Sequence, residues 1–127
     1  MITLGIDQSI SSTGVVVFDD EKMIHHELIR FPPVTGIKAK VEKLKDIAEA
    51  CVTIVQKFSP ETVYIEEIAY AGQGDAAKDL AGLFYLILVY FHNNDISYQT
   101  VNIKSLKKIA TGNGNANKDM MFEYLTE

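Results

Sequence analysis

The run Ile2-Thr3-Leu4-Gly5-Ile6 is apolar enough to be buried on both faces, and it closes on a carboxylate, Asp7. A polar turn containing Ser9, Ser11, Ser12 and Gly14 follows, and then a second β-branched run, Thr13 to Phe18. This pair constrains the chain more than any other feature. Two apolar strands joined by a short turn read as a hairpin, and their side chains demand a sheet with covered faces. The aspartate ending the first strand loses a large hydration energy if buried alone. It therefore needs a cation, a hydrogen-bond donor or water.

The remaining segments extend that sheet. Asp19, Asp20 and Glu21 mark a turn, and Met23 to Phe31 reads as a third strand, polar at alternate positions and so near an edge. His25 and His26 lie in it on opposite sides, which rules out one shared metal pair and reads as surface placement. Pro32 and Pro33 break the chain. Val41, Leu44, Ile47, Ala48, Cys51, Ile54, Val55 and Phe58 then recur at three and four residues, an amphipathic helix with Lys and Glu on its other face, ended by Ser59-Pro60. Thr62 to Ile65 is a fourth strand ending in Glu66 and Glu67. After the loop "AYAGQGD" a helix is expected from about Asp75 to His92, then a fifth strand, Ile96 to Val101. A helix near Ile103–Thr111, the loop "TGNGNANKD" and a last helix, Lys118 to Leu125, complete the reading.

The order βββ-α-β-α-β-α-α predicts an α/β fold: an antiparallel three-strand meander plus two parallel strands in one five-stranded mixed sheet, with helices packed on it. The first strand is expected to be central, with the fourth beside it and parallel through a right-handed crossover. Asp7 and Glu66 then end at the same sheet edge, at the carboxyl ends where open α/β sheets place their sites.

Two carboxylates so placed repel and raise each other's pKa, a conflict that a divalent metal removes. Mg²⁺ takes hard oxygen ligands and keeps several waters, so a few carboxylates suffice. Two such ions ~4 Å apart can hold a phosphate, activate water and stabilise the leaving oxygen. The bland alternatives stay open at this point: a turn or cap aspartate for Asp7, and a solvated strand end for Glu66, with Glu67 beside it.

Net charge of −5 argues against a nucleic-acid partner if taken alone. Its distribution does not. From Val101 to Lys118 the cations are Lys104, Lys107, Lys108 and Lys118, with no Asp or Glu among them. That segment is either a solvated helix face or a phosphate-binding surface. With 127 residues and 47% hydrophobic content, the chain is expected to be one domain with a real core. The apolar stretch Leu80 to Phe91 is too short to span a membrane. No basic region precedes the first apolar run, so no signal peptide is expected. The single cysteine, Cys51, excludes an internal disulfide, falls on a helix core stripe and fits a reducing, cytoplasmic setting.

The motifs carry a resemblance. "LGIDQSISSTGVVVF", "VYIEE", "AGQGDAAKDLAG" and "VNIKSLKKIATGNGNANKDMM" occur in this order over nearly the whole chain. Together they resemble the RuvC family of Holliday-junction-resolving endonucleases, which have an RNase H-like fold. The resemblance implies metal ligation by Asp7 and Glu66 and catalysis with Mg²⁺ or Mn²⁺. It implies that Lys107 and Lys118 sit near the scissile phosphate, with Lys104 and Lys108 also in the DNA-binding segment. It further implies a homodimer acting on four-way DNA junctions. The nearly all-round apolar helix at 75–92 gives a dimer its own physical motive.

Two departures are visible. The family commonly has an aromatic residue soon after the glutamate, where this chain has Ala69, with Tyr70 next to it as the candidate for stacking on a base. The family also adds an acidic pair on a final helix beyond the lysine motif, and Asp119 and Glu123 follow Lys118 too closely to match it. The expectation is thus a single RNase H-like nuclease domain, 1–127, lacking that acidic helix and weakly active. The rival readings are a non-catalytic junction-binding module and a fragment of an actin-like ATPase or kinase.

Overall fold

The computed structural model describes residues 1–68 and 74–102. Its elements are β1 (Ile2–Asp7), β2 (Thr13–Asp19), β3 (Lys22–Ile29), α1 (Ile37–Phe58), β4 (Thr62–Glu66), α2 (Asp75–Asn93) and β5 (Tyr98–Val101). They form one five-stranded sheet in the order β3-β2-β1-β4-β5. The meander pairs antiparallel, and β4 runs parallel to both β1 and β5. The central first strand, the parallel fourth strand and the edge position of the more polar third strand are as the sequence predicts.

Alternation along β1 divides the sheet into two faces. Leu4 and Ile6, with Val15, Val17, Val63 and Ile65 from the neighbouring strands, are buried against Ile47, Cys51 and Val55 of α1 and Leu83, Ile87 and Phe91 of α2. This is the main core. The opposite face carries a smaller cluster, Val16 and Phe18 with Met23, Tyr64 and Val101 packed against them. Asp7 follows Ile6 and Glu66 follows Ile65, so both carboxylates belong to this second face.

Each helix begins where glycine permits it. Gly36 and Gly74 precede α1 and α2 at φ values of 91° and 107°, a region that side-chain-bearing residues rarely adopt. Ser59 ends α1 in a left-handed conformation, its N–H donating to the carbonyl of Val55. The shift in register between Val17 and Phe18 leaves Ile24 of β3 without a partner and exposed.

Several expectations need adjusting. Helix α1 starts at Ile37, and the strand expected to reach Phe31 stops at Ile29. The fifth strand begins at Tyr98 rather than Ile96. Val41, counted on the apolar stripe, is 54% exposed, because the buried apolar residues of α1 begin only at Ile47, more than a turn further on. Lys43 departs in the opposite direction. The sequence places it with the other lysines on the polar face, yet it is 8% exposed. Its position four residues before Ile47 puts it in phase with the apolar stripe. His25 and His26 lie on the edge strand, His25 half-exposed with Nε2 3.0 Å from Glu27 Oε1 and its ring 4.9 Å from that of Phe58. Tyr70, the helix near 103–111, the last helix at 118–125 and the lysines 104, 107, 108 and 118 lie outside the described residues. Among the described residues, no helix is long and apolar enough to cross a membrane.

Candidate active site

β1 and β4 deliver the candidate site by register. Ile6 pairs with Ile65, so Asp7 and Glu66 are the next residues in register, side by side at the carboxyl ends of adjacent parallel strands. On its other side Asp7 faces Gly14 of β2, which contributes no side chain and leaves the carboxylate room.

The edge is held by hydrogen bonds from the loops that leave it. Gln8 Nε2 donates to the Glu66 carbonyl at 2.6 Å, tying the end of β1 to the end of β4. The Thr13 hydroxyl accepts from the Ser9 N–H at 3.1 Å and donates to the Ser9 carbonyl at 2.7 Å, which closes the turn after Asp7. The Glu67 N–H donates to the carbonyl of Val101 at 2.8 Å and extends the β4–β5 pairing past Glu66. Each bond contributes on the order of 1 kcal/mol. Their combined effect is positional, because they fix the backbone from which both carboxylates project.

The electrostatics follow from this geometry. Burial pushes the Asp7 carboxyl from 3.8 up to about 8, and the hydrogen bond and negative charge of Glu66 push in the same direction. The two side chains are thus close enough to share a proton. Among the described residues, no third His, Cys, Asp or Glu joins them. The donor set is two adjacent carboxylates, hard oxygens that repel unless a cation sits between them. A divalent Mg²⁺ or Mn²⁺ fits that set, with water completing the coordination.

The sequence-predicted pair Asp7 and Glu66 is therefore brought together. Glu67 projects from the next backbone position and is exposed, which resolves the choice between the two glutamates. The sequence reading missed Gln8, whose signal was its position immediately after Asp7.

A central strand ending in Asp, a parallel neighbour ending in Glu and an antiparallel meander alongside define an RNase H-like fold. The sequence model of the family "Crossover junction endodeoxyribonuclease RuvC" matches residues 3–126, and the chain belongs to that family. A crossover junction endodeoxyribonuclease RuvC from Brachyspira hyodysenteriae is 28% identical over 98% of this chain and 79% of the relative. The structure of Thermus thermophilus RuvC superposes with a TM-score of 0.70 at 22% identity, covering 98% of this chain and 80% of that one. The T. thermophilus protein in complex with Holliday junction substrate superposes with a TM-score of 0.72 at 18% identity, covering 99% and 91%.

Proposed function

We propose that this chain is a metal-dependent endonuclease that hydrolyses phosphodiester bonds in four-way DNA junctions, with Asp7 and Glu66 holding Mg²⁺ or Mn²⁺. The observation that carries the assignment is the carboxylate pair at the shared edge of β1 and β4, and family membership gives the reaction class. When bound, the metal supplies Lewis acidity toward a phosphate oxygen and toward the attacking water.

The chain's own residues do the rest. Asp7 is half-buried, so its charge is expressed in a medium less screening than water and acts strongly on a cation. Gly14 keeps the space beside it open for a DNA strand. Lys107 and Lys118 contact the scissile phosphate and stabilise charge as it develops on the oxygens. Lys104 and Lys108 add phosphate contacts along the strand. Tyr70 offers a ring on which a junction base stacks. The site acts as one half of a homodimer formed through α2, which carries Tyr85 and Val89 one turn apart and 63% and 51% exposed. A dimer presents two such sites to the two-fold symmetry of a junction.

The test is nicking and binding of the same labelled four-way junction. The wild-type chain is expected to nick with Mg²⁺ or Mn²⁺. Asp7→Asn is expected to lose at least ~10³-fold in rate while binding changes only a few-fold, because phosphate contacts carry the affinity. Binding without nicking in the wild-type chain would make it a junction-binding module. Equal loss of binding and nicking in Asp7→Asn would refute the metal-ligand role.

A further inference from the structure

Next to the carboxylates, across the same sheet edge and on the helix-covered face, lies a cavity of about 620 Å³. It is bounded by the turn after β1, the segment after β3, the first turns of α1 and the start of α2. A volume of this order suits one small ligand.

Two largely buried polar side chains that line it each have a group without a partner among the described residues. Lys43 is 8% exposed and makes no hydrogen bond or ion pair among the described residues. Gln8 is 5% exposed, and with Nε2 committed to the Glu66 carbonyl its Oε1 is buried without a donor. A buried carbonyl oxygen is costly when unpaired, and Lys43, its stem held in the wall, offers the ammonium as the charge on this side, so a ligand for this cavity brings an N–H for one and an anion for the other.

The surroundings sort the charge. Arg30 also lines the cavity and commits only its Nε, which donates to the Ser12 hydroxyl at 3.2 Å, so the rest of its fork remains available. Among the described residues Asp79 is the one carboxylate lining it, and it is already paired with Lys40 at 3.0 Å. The start of α2 contributes Ala76, from a first turn whose N–H groups have no intrahelical acceptor and which has no side-chain cap. The wall is otherwise apolar, with Phe31 offering an aromatic ring beside Ile10 and Leu80.

We infer that this cavity is a nucleotide subsite. One phosphate sits on Lys43 and Arg30. The attached base lies against Phe31 and turns an N–H toward Gln8 Oε1. The inference rests on the nuclease reading and extends it. Gln8 is the residue after Asp7, so a strand crossing the sheet edge places one phosphate at the carboxylates and a neighbouring nucleotide in the cavity.

The experiment is an NMR titration of the full chain with dTMP, thymidine and inorganic phosphate, read at the backbone amides of Ser9, Ser11 and Lys43. dTMP is expected to shift these amides at lower concentration than either fragment. Lys43→Met, which keeps the length of the buried stem and removes the ammonium at its end, is expected to fold with an undiminished Tm and to weaken dTMP at least tenfold. Lys43→Arg is expected to retain it. In parallel, the salt dependence of four-way-junction binding is expected to lose about one phosphate contact in Lys43→Met, a slope smaller by about 0.9. No dTMP shift at these amides, the same shift in Lys43→Met, or equal affinity for dTMP and phosphate would each overturn the subsite. A wild-type chain that binds dTMP here but neither binds nor nicks the junction would support the subsite and overturn the nuclease reading. Normal nicking with no dTMP response would do the reverse.

Discussion

Asp7→Asn should make the metal-free protein more stable in alkali than the wild type. Asp7 in the folded chain titrates at about 8, against 3.8 for the free side chain. The folded state therefore keeps a proton between about pH 4 and pH 8 that the unfolded state has released. Stability falls wherever the folded state binds more protons, so it is fully present below the unfolded pKa and is lost as pH rises through that window. About four pKa units at 1.36 kcal/mol each set a ceiling of ~6 kcal/mol. Asp7 is only half-buried and its partner reaches solvent at the sheet edge, so screening reduces the expected loss to ~2–3 kcal/mol. For a domain of this size that is a fall in Tm of about 10 °C. The assay is urea unfolding in EDTA at pH 5 and pH 9. Wild type should lose ~2–3 kcal/mol between the two. Asp7→Asn should lose much less, since it removes the titrating group, and Glu66→Gln should lose somewhat less, since the burial of Asp7 remains and only the contribution of its partner goes. Adding Mg²⁺ at pH 9 should restore wild type and leave Asp7→Asn unmoved. A wild-type pH profile that runs parallel to that of Asp7→Asn would refute the account of the pair.

Lys107→Ala and Lys118→Ala should slow nicking of a four-way junction by ~10²-fold while weakening binding only a few-fold, with Lys108→Ala as the control; equal behaviour of all three would reduce the segment to a diffuse basic surface. The double substitution Tyr85→Glu with Val89→Glu should give a folded monomer by analytical ultracentrifugation, because both side chains are exposed on α2 and a new charge there opposes association rather than folding. The Cys51 thiol, fully buried and pushed up to about 12 by desolvation, should resist iodoacetamide in the native protein and react only on unfolding. Cys51→Ser should cost ~1–3 kcal/mol in urea unfolding, since the new hydroxyl has no partner in that core.

The sequence by itself determined the elements and their order, because period-two and period-3.6 apolar patterns are local properties of the chain. It also determined that Asp7 and Glu66 close their strands. The few topologies open to a meander followed by a right-handed crossover then place the two strands side by side. What only the tertiary structure decided is what lies against each residue. Val41 fits the helical period yet is exposed, because the buried apolar residues of α1 begin only at Ile47. Lys43 fits the same period and is buried, because the segment after β3 and the start of α2 close over the first turns of α1. A charged letter in an apolar register reads in sequence as a break in the pattern. Only the arrangement of three separate segments around it shows that it lines a cavity. The motif resemblance names Glu66 over Glu67, but the physical reason is tertiary: β4 ends at Glu66, and its register with β1 sets that residue, and not Glu67, beside Asp7.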